Sequence, residues 1–193
     1  MDYKQFMEEC KAACHERNAC SEGYQMLLRS ESVQEILLTV VRNWTDVWQS
    51  KYSDIVAKNI ARWFDGLEHE FHEAGIFVNE ESDSGIVMLS NPGRTLRFTG
   101  AAKVYLFGTA HVVATDHCTV YCRDDKSEVE LYGHAYGKIT AGRVSVHDRA
   151  QVESHQECTC HDSSKVYAFG GRVYDRGHLK LHTSGNVEII KAR

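Results

Sequence analysis

From Thr95 onward the chain repeats a short pattern, and this repeat constrains the fold more than any other feature of the sequence. Units of about eight residues follow one another, as in KVYLFGTA, HVVATDHC, EVELYGHA and RVSVHDRA. The shared pattern is a polar residue, valine, any residue, an apolar residue, any residue, Gly or Asp, any residue and a small residue. A fixed short period of this kind is typical of solenoids, in which small structural units stack along one axis.

Apolar and polar side chains alternate within these units. Between positions 104 and 122 the even positions are small or apolar except at Asp116, and alternate side chains of a strand lie on one face. The apolar row moves to odd positions after Asp125, returns to even positions at Val144 and moves again after Gly171. A coil absorbs such shifts at corners that contain Gly or Asp. The inward residues predicted after Gly171 are Val173, Leu179, Leu181, Val187 and Ile189.

We therefore predict an α+β protein, with a helical domain over residues 1–80 followed by a β-solenoid of about eight-residue repeats over residues 81–193. A β-sandwich is the alternative, but it requires more strongly apolar strands. Coils of two units or of three units both fit the repeat, and the sixteen-residue spacing of Tyr105 and Tyr121 favours two. Because an open coil exposes strand edges, we expect the helical domain to cover the first coil.

The first third of the chain has helical periodicity. One or two helices are predicted over residues 3–29, where apolar residues recur at three- and four-residue spacing. Ser32 followed by Glu35 has the arrangement of a capping box, and a broad apolar stripe then continues to Trp48. Another helix is predicted from Ser53 to about residue 75. The three tryptophans of the chain are expected in the core of this helical domain.

Charge also divides the chain into two parts. Residues 1–85 contain sixteen Asp/Glu and eight Lys/Arg, a net charge of −8, whereas the remainder contains eleven and fourteen, a net charge of +3. This asymmetry favours two domains. Neither part is basic enough to indicate nucleic-acid binding.

The sequence shows no signal peptide, no membrane-spanning stretch and no disulfide pattern, and all three bear on the cellular location of the protein. No apolar signal core follows the polar start, and the longest apolar stretch, near residues 36–41, is too short to span a bilayer. The seven cysteines show no small-scaffold disulfide pattern. We therefore predict a cytoplasmic protein with free thiols and no membrane association.

The repeat rhythm, Val-x-Ala-x-Gly/Asp-x-Ala, resembles the short-repeat β-helix segments of uncharacterised proteins from gut Bacteroidetes, their phages and mobile elements. Units similar to S-A-T-V-R-A-Y-D recur in those proteins. The acidic start, with CSEGY at residues 20–24 before apolar residues, is similar to theirs as well. The resemblance implies a β-helix and a mobile-element setting, and it supplies no catalytic residue.

Two clusters have spacings that can place metal ligands on one helix face. One is EHEFHE at residues 68–73, and the other has the form Cys-x3-Cys-His-x4-Cys. Neither matches a standard zinc motif, and a solvated helix end and a packed core are the competing interpretations. The candidate ligands are His69, His72, Cys10, Cys14, His15 and Cys20. We expect no cofactor.

A third cluster lies inside the repeat region. Cys158 and Cys160 are predicted to point inward, whereas His155 and His161 are predicted to point outward. Because the cluster is then divided between two faces, a shared metal site is not expected there.

The outward row is rich in aromatic residues and histidines. Such side chains either stack between coils as ladders or form a recognition surface for a protein or a glycan. A histidine-rich surface would gain positive charge near pH 6. The predicted surface residues are Tyr105, Phe107, His111, His117, Tyr121, Tyr132, His134, Tyr167, Phe169 and Tyr174.

No enzyme motif supports a catalytic function. The chain has no phosphate-binding Gly-rich loop, no Gly-x-Ser-x-Gly elbow and no zincin motif. Paired carboxylates at Asp124, Asp125, Glu128 and Glu130 leave a glycan-active protein as one alternative. We predict a non-enzymatic protein-interaction protein. A more specific version of this prediction is a phage- or mobile-element-encoded modulator of a host system. A self-assembling structural protein is the other alternative.

Overall fold

A computed structural model describes residues 2–16, 21–49, 53–178 and 180–191. The chain divides into two compact units, Met1–Val78 and Asn79–Arg193. The first is helical and the second is a β-solenoid, in agreement with the fold class predicted from the repeat.

The first unit contains six helices and one short strand within the described ranges. No helix there has both the length and the apolar character needed to cross a membrane. The elements are α1 (Tyr3–Glu16), α2 (Ser21–Arg29), α3 (Val33–Arg42), α4 (Trp44–Gln49), α5 (Ser53–Phe64), α6 (Glu68–Glu73) and β1 (Ile76–Val78).

Two of the predicted helices are each divided in the structure. The apolar stripe that ends at Trp48 is interrupted at Asn43, whose backbone N–H and side-chain amide both donate to the carbonyl oxygen of Thr39. The stripe that begins at Ser53 is interrupted at Gly66, which has φ of 85°. The left-handed conformation of Gly66 ends its helix, whereas Asn43 has φ of −103° and caps α3 with its side-chain amide. Periodicity alone overestimated both lengths.

The predicted helix start at Ser32 is confirmed, because its hydroxyl accepts a hydrogen bond of 3.2 Å from the backbone N–H of Glu35. The tryptophans lie in the core as predicted, each less than a tenth exposed. The centre of this core is aromatic, with the ring of Phe6 packed edge-on against Phe71 and Trp63. Edge-to-face pairs of this kind stabilise a core beyond the area that they bury.

The second unit contains fourteen strands of three to five residues within the described ranges. They are β2 (Ile86–Leu89), β3 (Thr95–Phe98), β4 (Lys103–Leu106), β5 (His111–Ala114), β6 (Thr119–Cys122), β7 (Glu128–Leu131), β8 (Tyr136–Ile139), β9 (Arg143–Val146), β10 (Gln151–Ser154), β11 (Cys158–Cys160), β12 (Lys165–Ala168), β13 (Gly171–Asp175), β14 (Lys180–Thr183) and β15 (Val187–Lys191).

Successive strands alternate between two parallel sheets. Even-numbered strands form sheet A in the order β2-β4-β6-β8-β10-β12-β14, and odd-numbered strands form sheet B in the order β15-β13-β11-β9-β7-β5-β3. Each coil of the solenoid therefore contains two repeat units. Tyr105 and Tyr121 are partners in register, which confirms the two-unit coil over the three-unit one.

The interior contains the side chains that alternation predicted. Val104, Val120 and Leu131 are fully buried, and Cys118 and Cys158 lie in the same interior. The alternation of apolar and polar residues therefore identifies the buried face of these strands correctly.

The last predicted inward row behaves differently. Ile189 is 48% exposed, although it is in register with the fully buried Val173. The reason is that β14 and β15 have a neighbouring strand on one side only among the described residues, so their inward side chains are covered on one side. Leu181 and Val187 are partly exposed as well, and Leu179 lies outside the described residues.

One corner of the coil is built from residues in the left-handed conformation. Asp116, Gly133 and Asp148 have φ of 56°, 64° and 55°. The carboxylate of each aspartate accepts a backbone N–H from the corner of the preceding coil, as when Asp116 Oδ2 accepts from Gly100 at 3.2 Å. This explains why Asp116 interrupts the apolar row, and it agrees with the prediction that Asp and Gly mark the corners.

Candidate functional site

Nine of the ten predicted surface residues are exposed or partly exposed. The exception is Tyr105, which is 5% exposed and therefore does not belong to the surface. Its ring stacks on Tyr121 of the next coil, with centroids 4.6 Å apart and planes 2° from parallel. The burial of Tyr105 corrects the sequence analysis, because alternation indicates on which side of a strand a residue lies but not whether that side is covered.

The ladder interpretation of the outward rings is confirmed. His117 stacks on His134 and Tyr167 stacks on His182, with centroids 5.5 Å and 5.0 Å apart. The ring of Phe169 stacks in the same way on His155, at 5.0 Å. Since the partners in each pair come from neighbouring coils, the regular spacing of the strands holds the rings parallel.

One ladder contains three rings, Tyr132, His147 and His161, and we call it the histidine column. Its centroid separations are 4.4 Å and 4.3 Å. His147 and His161 were not among the predicted surface residues. Both occupy the position after the last residue of a sheet B strand, but coils of fifteen and fourteen residues separate the three rings, and this uneven spacing hides the column in the sequence.

Stacking determines which part of each ring is available for recognition. The faces of rings inside a ladder are covered by their neighbours, and the edges point outward. Edges carry the imidazole nitrogens and the phenolic hydroxyl, which form hydrogen bonds, whereas sugar rings and nucleobases stack on aromatic faces. The histidine column is therefore suited to polar contacts.

A chain of hydrogen bonds leads into the histidine column. Thr95 Oγ1 lies 3.1 Å from His111 Nδ1, and His111 Nε2 lies 3.0 Å from a carboxylate oxygen of Glu130. The other oxygen of Glu130 accepts from the Tyr132 hydroxyl at 2.9 Å. The hydrogen bond from His111 lowers the pKa of Glu130, and the one from Tyr132 adds to the effect. Glu130 is therefore ionised at neutral pH and is not suited to act as a proton donor.

Opposite charges alternate along a second column on the same face of sheet B. Register places Glu128, Arg143, Glu157, Arg172 and Glu188 next to one another on five successive coils. We call this the charge row. Its nitrogen–oxygen distances are 3.7 Å and 3.9 Å from Arg143 to its two neighbours, and 3.0 Å between the last pair. Each of these side chains is at least 43% exposed.

A groove runs along the charge row, whose residues Glu128, Arg143 and Glu157 line it together with His111 and Glu130. Its base is formed by Ser145 and Thr159, whose small side chains lie between the two columns, and Glu130 closes one end. The cavity volume is about 210 Å³. We call the outward side of β5, β7, β9, β11 and β13 the groove face. Its polar residues converge on a concave surface, as they do in many binding sites.

The carboxylates that suggested glycan chemistry have separate structural roles. Asp124 accepts hydrogen bonds from the backbone of Lys126 and from the buried hydroxyl of Ser127, which fixes a corner of the coil. Glu128 pairs with Arg143, and Glu130 belongs to the hydrogen-bonded chain described above. Asp125 is exposed beside this corner.

The helical metal candidates are not brought together. His69 lies 3.7 Å from the carboxylate of Glu73, whereas the ring of His72 stacks on Phe77 at 5.2 Å. The cysteine cluster is described in part, with Cys10 and Cys14 as neighbours on α1. Cys10 is buried, and burial raises the pKa of its thiol, while the ring of His15 lies 3.4 Å from the hydroxyl of Tyr24.

The remaining helical candidates are Cys14, which is partly exposed, and Cys20, which lies outside the described residues. Within the described part of the chain, no three His, Cys, Asp or Glu side chains are grouped as metal ligands. In the solenoid, the Cys158 and Cys160 sulfur atoms lie 3.4 Å apart in the interior, and His155 lies outside. The predicted division of that cluster is confirmed.

These features define a class of protein, a two-unit chain with a helical unit and a parallel β-solenoid whose surface bears stacked rings and alternating charges. The chain matches no family model, no curated protein and no solved structure.

Proposed function

We propose that this chain is a non-enzymatic protein-interaction protein, and that the groove face of its solenoid is the binding surface. The observation that carries the proposal is the groove along the charge row, on the same face as the histidine column. Parallel strands fix both columns at regular spacing, so the polar groups of the face are positioned before a partner arrives. Such preorganisation lowers the entropy cost of binding.

The nature of the exposed groups favours a protein as the partner. Imidazole edges, the Tyr132 hydroxyl, Glu130 and paired charges match the mixed polar surface of a folded protein. A glycan would gain most from open aromatic faces, which the ladders cover. The net charge of −5 gives no support to nucleic-acid binding.

The resemblance to short-repeat β-helix proteins supports a phage or mobile-element setting. In that setting the partner is a host protein, and binding to it modulates a host system.

The experiment that tests the proposal compares capture of partners by the wild-type chain and by a variant with changed ring edges. His147→Phe combined with His161→Phe keeps two flat rings in the column but removes their nitrogen atoms. The matched control is Tyr167→Phe with His182→Phe, which makes similar changes in a sheet A ladder.

We expect quantitative mass spectrometry of captured proteins to show a specific partner retained by the wild type and the control. The variant in the histidine column should lose that partner. Capture of the same proteins in equal amounts by all three chains would overturn the proposal, since the groove face would then make no contribution.

A further inference from the structure

The outward residues of four neighbouring strands on the groove face form three columns. Register across β7, β9, β11 and β13 aligns the residues of each column on successive coils. The first column is Glu128, Arg143, Glu157 and Arg172. The second is Glu130, Ser145, Thr159 and Tyr174. The third, which follows the strands, is Tyr132, His147, His161 and Arg176.

The charges of the first column are complementary to those of the same column in a second copy with the coil order reversed. Its charges run minus, plus, minus, plus along the solenoid, and therefore plus, minus, plus, minus in the reverse direction. A two-fold axis along the strand direction, midway between β9 and β11, keeps each column opposite itself and reverses the order of the coils. Every charge of the column then meets the opposite charge of a second copy.

We propose that the groove face forms a two-fold symmetric dimer with a second copy of this chain. In this dimer Glu128 pairs with the partner's Arg172, and Arg143 pairs with the partner's Glu157. Because the interface is symmetric, each pair occurs twice. The inference rests on the proposed function, since it names one protein that the groove face binds.

The other two columns are compatible with the same axis. Glu130 faces the partner's Tyr174, which places a carboxylate near a hydroxyl group. Tyr132 faces the partner's Arg176, a combination of aromatic ring and guanidinium that is attractive. Ser145 and the partner's Thr159 meet at the centre, where their small side chains allow the two sheets to approach.

Shifting the axis by one coil removes this agreement. With the axis midway between β11 and β13, the charges still alternate correctly, but Ser145 of the second column would face the partner's Ile190. In the third column, His161 would face the partner's Arg176. A histidine that becomes positively charged on protonation would then lie next to a permanent positive charge. In the arrangement centred between β9 and β11, His147 faces the partner's His161, and the first two columns favour it over this shift.

Arg143 remains available to a second copy, whereas Arg172 is already hydrogen-bonded to Glu188 at 3.0 Å within the chain. Within the chain, the contacts of Arg143 are long, 3.7 Å and 3.9 Å, and its side chain is 70% exposed. Exposed pairs of this kind contribute little to folding. Four coils of four residues form a face of roughly 20 Å by 15 Å, which is smaller than a standard interface. We therefore expect a weak dimer that dissociates as salt concentration rises.

The test uses sedimentation velocity on the full chain over a wide concentration range, at low and at high salt. We expect the wild type to form a concentration-dependent dimer at low salt. Arg143→Glu and Glu157→Arg each place like charges opposite one another, so each variant alone should raise the dimer dissociation constant by more than about tenfold. An equal mixture of the two variants should form a heterodimer, because the carboxylate introduced at position 143 of one chain then faces the guanidinium introduced at position 157 of the other.

The matched controls lie on sheet A, where Lys138 and Glu153 form a partly exposed ion pair of 3.6 Å. Lys138→Glu and Glu153→Lys make the same changes of charge and should leave dimer formation unchanged. Circular dichroism and thermal melting establish that all variants are folded. A wild type that stays monomeric, single variants that dimerise normally, or a mixture that does not associate would each overturn the dimer.

The two tests can distinguish failure of the dimer from failure of the proposed function. Capture of another protein by a wild-type chain that stays monomeric would overturn the dimer alone. A dimer that forms as described, together with equal capture by all chains in the ring-edge experiment, would overturn the proposed binding of another protein and leave the dimer in place.

Discussion

The carboxylate of Asp148 accepts a hydrogen bond of 3.1 Å from the backbone N–H of Gly133, fifteen residues earlier and one coil away. Both residues have positive φ, 55° and 64°. The contact joins two successive corners and fixes the point at which each coil turns. The coil is thus closed by polar groups at its corners as well as by apolar side chains inside it.

The corner predicts different effects for two substitutions of Asp148. Asp148→Asn keeps an oxygen acceptor and a residue that tolerates the left-handed conformation, so we expect little change in stability. Asp148→Ala loses the acceptor and places a side chain with no compensating bond in a strained conformation, which should cost about 1–3 kcal/mol. Thermal unfolding followed by circular dichroism measures both. Equal losses for the two variants would contradict this role of the corner.

Two isoleucines provide a matched test of the interior. Ile139 is fully buried, whereas Ile189 of the last strand is 48% exposed. Ile139→Ala should lower the free energy of unfolding by about 2–5 kcal/mol, and Ile189→Ala by less than about 1 kcal/mol. Chemical denaturation gives both values. A large loss at Ile189 would show that its side chain is covered.

The helical unit contains a titrating ion pair. Glu9 accepts hydrogen bonds from Arg62, at 2.9 Å and 2.5 Å, and from the indole nitrogen of Trp63 at 2.7 Å. These bonds lower the pKa of Glu9 from 4.5 to about 2. Because the pKa of Glu9 is lower in the folded state, the ionised carboxylate stabilises that state above pH 4.5. This contribution to the free energy of unfolding is lost as pH falls towards 2.

We therefore expect Glu9→Gln to lower stability by about 1 kcal/mol at pH 7, a figure reduced for solvent screening, and the difference to vanish near pH 2. Tryptophan fluorescence is a suitable probe, because all three tryptophans lie before residue 79. The neighbouring and exposed Glu8 supplies the control variant Glu8→Gln. A difference independent of pH would contradict the assignment.

The histidine column predicts a second pH effect. Burial lowers the pKa of His161 below its ordinary value of 6.5, with smaller contributions from His147 and Arg176, while Asp162 acts in the opposite direction. Since the unfolded chain binds the proton more tightly, the fold should lose stability as pH falls through 6.5.

His161→Tyr keeps a ring in the column, as Tyr132 shows to be compatible with the stack, and should reduce that pH dependence. A nuclear magnetic resonance titration of the His161 imidazole measures the shift directly. Titration above the range of free histidine would contradict the structure.

Much of the solenoid follows from the sequence, because its physical causes are local. Alternation predicts that Val120 and Leu131 point inward, and Asp116 marks a corner because its side chain can bond to nearby backbone groups. The capping box at Ser32 is equally local. These features depend on residues close together in the chain, so a single sequence reveals them.

The groove face does not follow in the same way. Glu128, Arg143 and Glu157 become neighbours only when the lengths of the intervening coils are known, and those lengths are fifteen and fourteen residues. The stacking of His147 and His161 with Tyr132 was missed for this reason. The burial of Tyr105 and the break at Gly66 also depend on packing and on backbone conformation, which alternation and periodicity do not contain.

The central claim is that residues one coil apart share a column, because the ladders, the charge row and the groove all depend on it. Disulfide trapping tests it most directly. Lys103 and Thr119 are in register on neighbouring strands, so their Cα atoms lie about 5 Å apart. This separation allows a disulfide between introduced cysteines.

We predict that Lys103→Cys with Thr119→Cys forms a cross-link on mild oxidation that the wild-type chain lacks. Lys103→Cys with Glu128→Cys, which a three-unit coil would bring together because both residues begin a repeat unit, should form none. Cross-linking of the second pair without the first would contradict the two-unit coil and every column built on it.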